Sequence, residues 1–281
     1  MMTGEFNKKL NDVLKDIDPS VFNYRKDEFW MVESIYEYIE QYAKEHELLN
    51  TSIALPLIRG LHNGAYRKLT ITRDGETYRL PYLIHPLLVT RMLVDMHINL
   101  TKDEEDILYA AALCHDLLED VKFKEGGKEL VEKYHLDPEV LEIIKLMTKR
   151  YDFTPEEEVQ FFKNIGDNKF SALIKLSDRG NNVEDLYNMS VWKVHEYIDE
   201  TNKFFIPIAI SAKRKFKEYY ISFDILEDKI VSLTTLAETL VDRYDAEEKN
   251  LRKTLENLRS ENKELHTELE TLIKKEGISH E

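Results

Sequence analysis

Apolar residues recur at helical spacing through nearly every segment of this chain, and little interrupts them. Only nine Gly and seven Pro punctuate its 281 residues, and the stretches between follow the i, i+3, i+4, i+7 pattern of one helix face. No alternation of strand with helix and no glycine-rich phosphate loop is present, which disfavours dinucleotide-binding and P-loop architectures. Residues ~5–50 read as two or three helices, with Phe29, Trp30, Val32, Ile35, Tyr36 and Ile39 as a broad apolar stripe. Another helix is expected over 51–66 from a Thr51/Ser52 cap. Beyond it the spacing predicts helices at 86–97, 103–118, 126–134, 138–148, 155–164 and 168–185, then a long one from 190 onward. The one exception is 69–80, where two β-rich runs flank Asp74-Gly75, a hairpin signal.

The last ~60 residues differ in kind. Leu251, Leu258, Leu265 and Leu272 recur every seven residues, with Leu255, Asn262 and Leu269 at the alternate seam position. This is the a/d pattern of a coiled coil, and a lone Asn at a favours two parallel strands. Glu247 and Arg252 stand where an ion pair between strands would form. The plainer alternative is one amphipathic helix packed on the body. The polar remainder of the segment offers little to bury, which favours a homodimer. Upstream of ~250 the repeat blurs. The expected organisation is an N-terminal helical extension over 1–50, a catalytic body over 51–220 and a helical, coiled-coil segment over 221–281.

Charge narrows the partners. A net charge of −15 argues against a general grip on nucleic acid. It leaves room for a small phosphorylated substrate, because a bound cation with a few local Arg and Lys reverses the potential in one pocket. No run approaches ~18 apolar residues, so no membrane span is expected. The opening residues lack a secretory apolar run, and the only cysteine, Cys114, has no internal partner. A cytoplasmic protein is expected.

Chemistry concentrates at four places: His85-Pro86, His115-Asp116, Glu119-Asp120 and Asp178. A lone His is more often structural, and a lone Asp on a helix is usually solvated. Here the setting differs. Tyr109, Ala112, Leu113, Leu117 and Val121 make the segment around His115 largely apolar, and Asp178 follows Leu-Ile-Lys-Leu. Buried carboxylates without a compensating cation cost several kcal/mol. Two imidazoles and two carboxylates form a mixed N/O set suited to Mn²⁺, Fe²⁺ or Zn²⁺. Glu119 and Asp120 lie about one helical turn beyond and could orient or deprotonate a water.

This ordered set resembles the hydrolase half of the RelA/SpoT family of alarmone enzymes, and the small stand-alone alarmone hydrolases that share its HD domain. The likeness extends to Leu61-His-Asn-Gly-Ala-Tyr-Arg67-Lys68, to Thr148-Lys149, to Asp178-Arg-x-x-Asn182, and to Glu200-Thr201 with Phe205-Ile-Pro207-Ile-Ala209, covering roughly 55–215. The resemblance implies an all-α HD helical bundle in which His85, His115, Asp116 and Asp178 hold Mn²⁺ or another divalent metal. It implies that Glu119 and Asp120 activate water, and that Arg67, Lys68, Lys149 and Asn182 meet the substrate. The implied reaction is hydrolysis of (p)ppGpp to GDP or GTP and pyrophosphate. The hairpin lengthens the stretch between Arg67 and His85 beyond the family's usual pattern, which leaves guanine and adenine both open. Two alternatives stand beside it: a phosphohydrolase of another nucleotide ester, such as NADPH, a nucleoside monophosphate or a cyclic nucleotide, and a catalytically silent alarmone-binding regulator. A pure sensor could lose Glu119 and Asp120 freely, and both are present. His62 is expected to pack near the site, Arg179 to pair locally with Asp178, and Trp30 and Trp192 to lie in the core.

Overall fold

The computed structural model describes residues 4–15, 30–73, 75–150, 152–186 and 189–276, and the side chains of Lys68, Leu69, Ile71, Arg73 and Glu276 lie outside that description. The chain divides into two compact units, Met1–Thr234 and Thr235–Glu281. The first is all-α apart from one hairpin, as the periodicity predicts. Its helices are α1 (Gly4–Lys15), α2 (Trp30–Glu45), α3 (Leu49–Leu61), α4 (Ile84–Asp95), α5 (Lys102–Leu113), α6 (Leu117–Asp120), α7 (Glu129–Glu132), α8 (Pro138–Met147), α9 (Pro155–Asp167), α10 (Lys169–Glu184), α11 (Val191–Glu200), α12 (Ile206–Lys215) and the start of α13 (Tyr220–Glu276). Strands β1 (Tyr66–Arg73) and β2 (Glu76–Pro81) pair antiparallel, with Thr72 opposite Thr77. Gly75 sits in the turn at φ +83°, a value costly to any residue with a Cβ.

The core runs through the centre of this unit. Ile39 of α2, Ile53 and Leu57 of α3, Leu87 and Leu93 of α4, Leu108 of α5 and Leu173 of α10 are all fully buried. The α2 stripe is narrower than its sequence suggests: Val32, Ile35, Tyr36 and Ile39 are buried, whereas Trp30 is 71% exposed, and Phe29 lies outside the described residues. Trp30 is the first residue of α2.

Several helix ends differ from their expected positions for identifiable reasons. α3 begins at Leu49, so Thr51 lies inside it and is not its cap. Its leading N–H groups are served from another helix: Asp106 of α5 accepts from Asn50 N and Thr51 N, both at 2.8 Å, and from Thr51 Oγ1 at 2.9 Å. The helix expected over 103–118 stops at Leu113 and resumes as α6. At this break His115 Nδ1 lies 2.8 Å from Ala112 O, the carbonyl that a continuing helix would offer to the Asp116 N–H. The 126–134 helix is a single turn, α7. The long helix expected from 190 is three pieces. A π turn, Thr201–Phe205, joins α11 to α12, and Ile206 N–H reaches back five residues to Thr201 O just before Pro207, which has no N–H to give.

The second unit consists of the rest of α13, a helix of 57 residues in total. Its seam residues Leu251, Leu255, Leu258, Leu265, Leu269 and Leu272 are 49–70% exposed. Among the described residues, no helix is long and apolar enough to cross a membrane.

Candidate metal centre

Three separate elements deliver the four expected ligands to one point. His85 stands in the first turn of α4, behind a turn closed by its own N–H on Tyr82 O at 3.0 Å. His115 and Asp116 occupy the break between α5 and α6, where the chain can turn both side chains inward. Asp178 comes from the middle of α10. His85 Nε2 and His115 Nε2 are 3.3 Å apart. Asp116 Oδ2 lies 3.4 Å from the first and 3.2 Å from the second, and Asp178 Oδ1 lies 3.1 and 3.9 Å from them. Ligands bound at ~2.1 Å sit ~3.0–3.4 Å from their neighbours around a tetrahedral or octahedral ion. His85, His115 and Asp178, all buried, bring their ligand atoms within 4.8 Å of one another. These distances match that spacing except His115–Asp178 at 3.9 Å, and Asp116 adds a fourth donor.

The far side of each imidazole settles which nitrogen faces the centre. His85 Nδ1 meets Asn181 Oδ1 at 2.7 Å, and His115 Nδ1 meets Ala112 O at 2.8 Å. Both partners only accept, so each Nδ1 carries a proton and each Nε2 is turned toward the carboxylates of the cluster, where a cation displacing any proton there would take its lone pair. That is the outer-shell pattern of metal-binding histidines, and the residues present fit a divalent cation.

The electrostatics agree. Burial opposes ionisation of Asp116 and Asp178. At Asp116 the two histidines, and at Asp178 the Lys175 ammonium and then the histidines, outweigh it and hold both carboxyls well below the usual range. Burial likewise pulls His85 down, but the hydrogen bonds to Asp116 and Asp178 prevail and push it up to about 9. The cluster is a place that favours positive charge. Lys175 Nζ lies 2.8 Å from Asp178 Oδ2, and Tyr82 donates its phenolic proton to Asp116 Oδ2.

The centre lies in a cavity of about 860 Å³ that also admits Glu119, Asp120, Arg67, Asn182 and His62. Burial raises Glu119, and burial followed by the nearby Asp116 charge raises Asp120. Glu119 is steadied by the Lys149 N–H at 2.7 Å. Arg67 reaches Asp185 at 2.6 Å and Asn182 Oδ1 at 3.3 Å, and Asn182 Nδ2 donates to Asp178 Oδ1 at 2.6 Å. Two expected substrate contacts are thereby linked to the ligand set.

Lys149 is placed otherwise. Its ammonium is held by Glu158 at 2.8 Å and Glu200 at 3.2 Å, and it is absent from the cavity wall. The side chain of Lys68 lies outside the described residues. Arg179 pairs with Glu200 and not with Asp178, because adjacent helix positions point ~100° apart and it faces α11. His62 is buried beside the site, with Nδ1 4.0 Å from Asp120 Oδ2 and its pKa lowered to about 4 by burial.

Further participants lie outside the set the sequence singles out. Lys175 sits three residues before Asp178, a spacing the sequence does show. Asn181 orients His85. Trp192 is 68% exposed at the cavity wall and not in the core, with Tyr66, 56% exposed, also lining it. Trp192 is the second residue of α11, one place after Val191 and two after the Ser190 cap, in the helix's first turn.

Residues 82–179, which contain all four ligand positions, match the HD domain family. The chain is similar to guanosine-3′,5′-bis(diphosphate) 3′-pyrophosphohydrolase of Vibrio cholerae serotype O1, 26% identical over 189 residues, 64% of this chain and 24% of that protein. It is similar to GTP pyrophosphokinase rsh of Brucella ovis, 30% identical over 137 residues, 46% of this chain and 17% of that one. GTP pyrophosphokinase of Myxococcus xanthus is 28% identical over 182 residues, 61% of this chain and 22% of its own length. The chain spans about a quarter or less of these relatives.

Proposed function

We propose that this chain hydrolyses the 3′-diphosphate of a guanosine or adenosine alarmone in a Mn²⁺-dependent reaction, (p)ppGpp giving GDP or GTP and pyrophosphate. The observation that carries the reading is a two-His, two-Asp cluster, of which His85, Asp116 and Asp178 line one cavity together with two carboxylates of raised pKa and the cations Arg67 and Lys175. Similarity to a named 3′-pyrophosphohydrolase over 64% of the chain supports it. His85, His115, Asp116 and Asp178 would hold the cation. Bound there, it would offset charge on the phosphoryl oxygens and lower the pKa of a water toward ~7.

The chain's own groups supply the rest. Asp120 or Glu119 takes the proton of the attacking water, and a raised pKa brings either nearer the match that proton transfer needs. As the water oxygen bonds to the phosphorus, the bond from that phosphorus to the ribose 3′-oxygen breaks and the proton returns to the leaving oxygen. Arg67 and Lys175 meet phosphate charge, and Asn182 the ribose or its phosphate. The exposed rings of Tyr66 and Trp192 offer faces to a nucleobase. The reading carries with it a cytoplasmic setting.

The test is purified protein with Mn²⁺ against guanosine and adenosine 3′-diphosphates, NADPH, nucleoside monophosphates and cyclic nucleotides, with pyrophosphate and phosphate release measured. Pyrophosphate should appear only from the 3′-diphosphates, and Asp120→Asn should lower kcat ~10²–10⁴-fold with metal content retained. Metal-loaded protein that releases none from any of them would sink the reading. Release of phosphate from another ester would point to the wider HD class, and tight alarmone binding without turnover to a regulator.

A further inference from the structure

The outer part of α13 carries a seam of exposed leucines. Leu251, Leu258 and Leu265 at d, with Leu255 and Leu269 at a, are 49–70% exposed, and Leu255, Leu258, Asn262 and His266 line a shallow groove along the helix. With Leu272, 55% exposed, these make six exposed leucines on one face of a helix in water, which mark a contact surface. The charges beside the seam decide what covers it.

In this register the g positions are Glu247, Thr254, Glu261 and Glu268, and the e positions Arg252, Arg259, His266 and Ile273. In parallel strands each g residue faces the e residue five places on in the other strand. That gives Glu247 with Arg252, Thr254 with Arg259, Glu261 with His266 and Glu268 with Ile273, with no like-charge contact. In antiparallel strands g faces g and e faces e. Glutamate would then face glutamate across the g positions, and Arg252 and Arg259, opposite Ile273 and His266 in a fully overlapped pair, would lose their acidic partners. Within one chain Arg252 leans on Glu248 at 2.7 Å, an exposed pair worth little and easily exchanged. Asn262 sits at a, where its amide can satisfy only a second amide opposite it, a condition met in register by two parallel strands.

We propose that residues 247–276 pair with the same segment of a second copy of this chain as a parallel, in-register, two-stranded coiled coil. Both chains therefore enter the coil from the same end. The occupant is self-complementary because acidic g and basic e positions lie on one strand. A partner from outside would need the same distribution.

Light scattering of the full chain at tens of micromolar should give twice the mass of one chain, and Leu258→Lys with Leu265→Lys should restore the single mass. Strand direction is read by single thiols, since Cys114 is fully buried and does not interfere. Leu251→Cys alone, mildly oxidised, should become a disulfide-linked dimer. Crosslinking only on mixing L251C with L269C would show antiparallel strands and overturn the proposal. A monomeric wild-type chain, or a trimer, would overturn it as well.

Discussion

Asn181 shows how a single side chain sets the chemistry of the site without touching substrate. Its amide oxygen, 2.7 Å from His85 Nδ1, fixes the tautomer of the ring that faces the cavity. Asn181→Ala removes that acceptor and lets the ring turn or change tautomer. The expected outcome is a ~10–100-fold loss of metal affinity with the fold intact, as for other outer partners of metal-binding histidines, measured by calorimetric Mn²⁺ titration; unchanged affinity would show the ring is held by packing alone. A second prediction concerns His62. Burial lowers its pKa to about 4 from 6.5. Between those values the unfolded chain binds the proton and the folded chain does not, so stability rises with pH through this window and falls as pH drops from 6.5 toward 4. The effect is on the order of 3 kcal/mol. His62→Gln should flatten the dependence in urea titrations at pH 4.5 and 7, and parallel slopes would contradict it. At this scale the four ligand positions were legible because charged and imidazole groups stood inside apolar runs. Asn181 was not legible as a partner of His85, because 96 residues separate the two. Trp192 misled because indole area favours burial, and only the position of α11 puts it at the cavity wall.

Helix starts separate into those the chain specifies locally and those it borrows. Thr101 with Glu104, and Thr154 with Glu157, form reciprocal capping boxes at α5 and α9, within four consecutive residues each. α3 instead relies on Asp106, 55 and 56 positions away in sequence, for both leading amides. No local signal can show that, and Thr51/Ser52 offered a plausible but incorrect one. Asp106→Ala would strand the Asn50 and Thr51 backbone donors in a largely buried place, while the Thr51 hydroxyl keeps the Asp106 carbonyl at 3.3 Å. A loss of about 2–3 kcal/mol is expected, against about 1 kcal/mol for Thr154→Ala at an exposed box, both read from urea midpoints at constant m. Equal losses would mean water replaces Asp106 freely. The break after Leu113 follows the same logic. A helix period continued straight across His115-Asp116, because periodicity records which faces are apolar and says nothing of carbonyls diverted to side chains. That diversion is what aims both ligands into the cavity.

The division at Thr234 separates two kinds of stability that respond to different variables. The first unit has a fully buried core and a cluster of ionised groups that a cation would complete. Whatever binds the folded state alone adds RT ln(1 + [L]/Kd), about 2.7 kcal/mol at a ligand concentration of 100 Kd. Its melting temperature should therefore rise with Mn²⁺ and fall back with chelator, and should not move with protein concentration. The outer part of α13 buries no leucine of its own, although packing of an apolar face is what supplies most helical stability in proteins. If its order comes from pairing, its melting temperature must rise with protein concentration and ignore the metal. Ellipticity at 222 nm, followed at two protein concentrations tenfold apart, each with Mn²⁺ and with chelator, separates the cases. Two transitions are expected, one shifted by metal alone and one by dilution alone. A single transition that moves with both would mean the units unfold together and the seam leucines are covered within the folded body. The heptad was legible because its period is local. Its independence from the site was not, since sequence period carries no information about which surfaces stay uncovered.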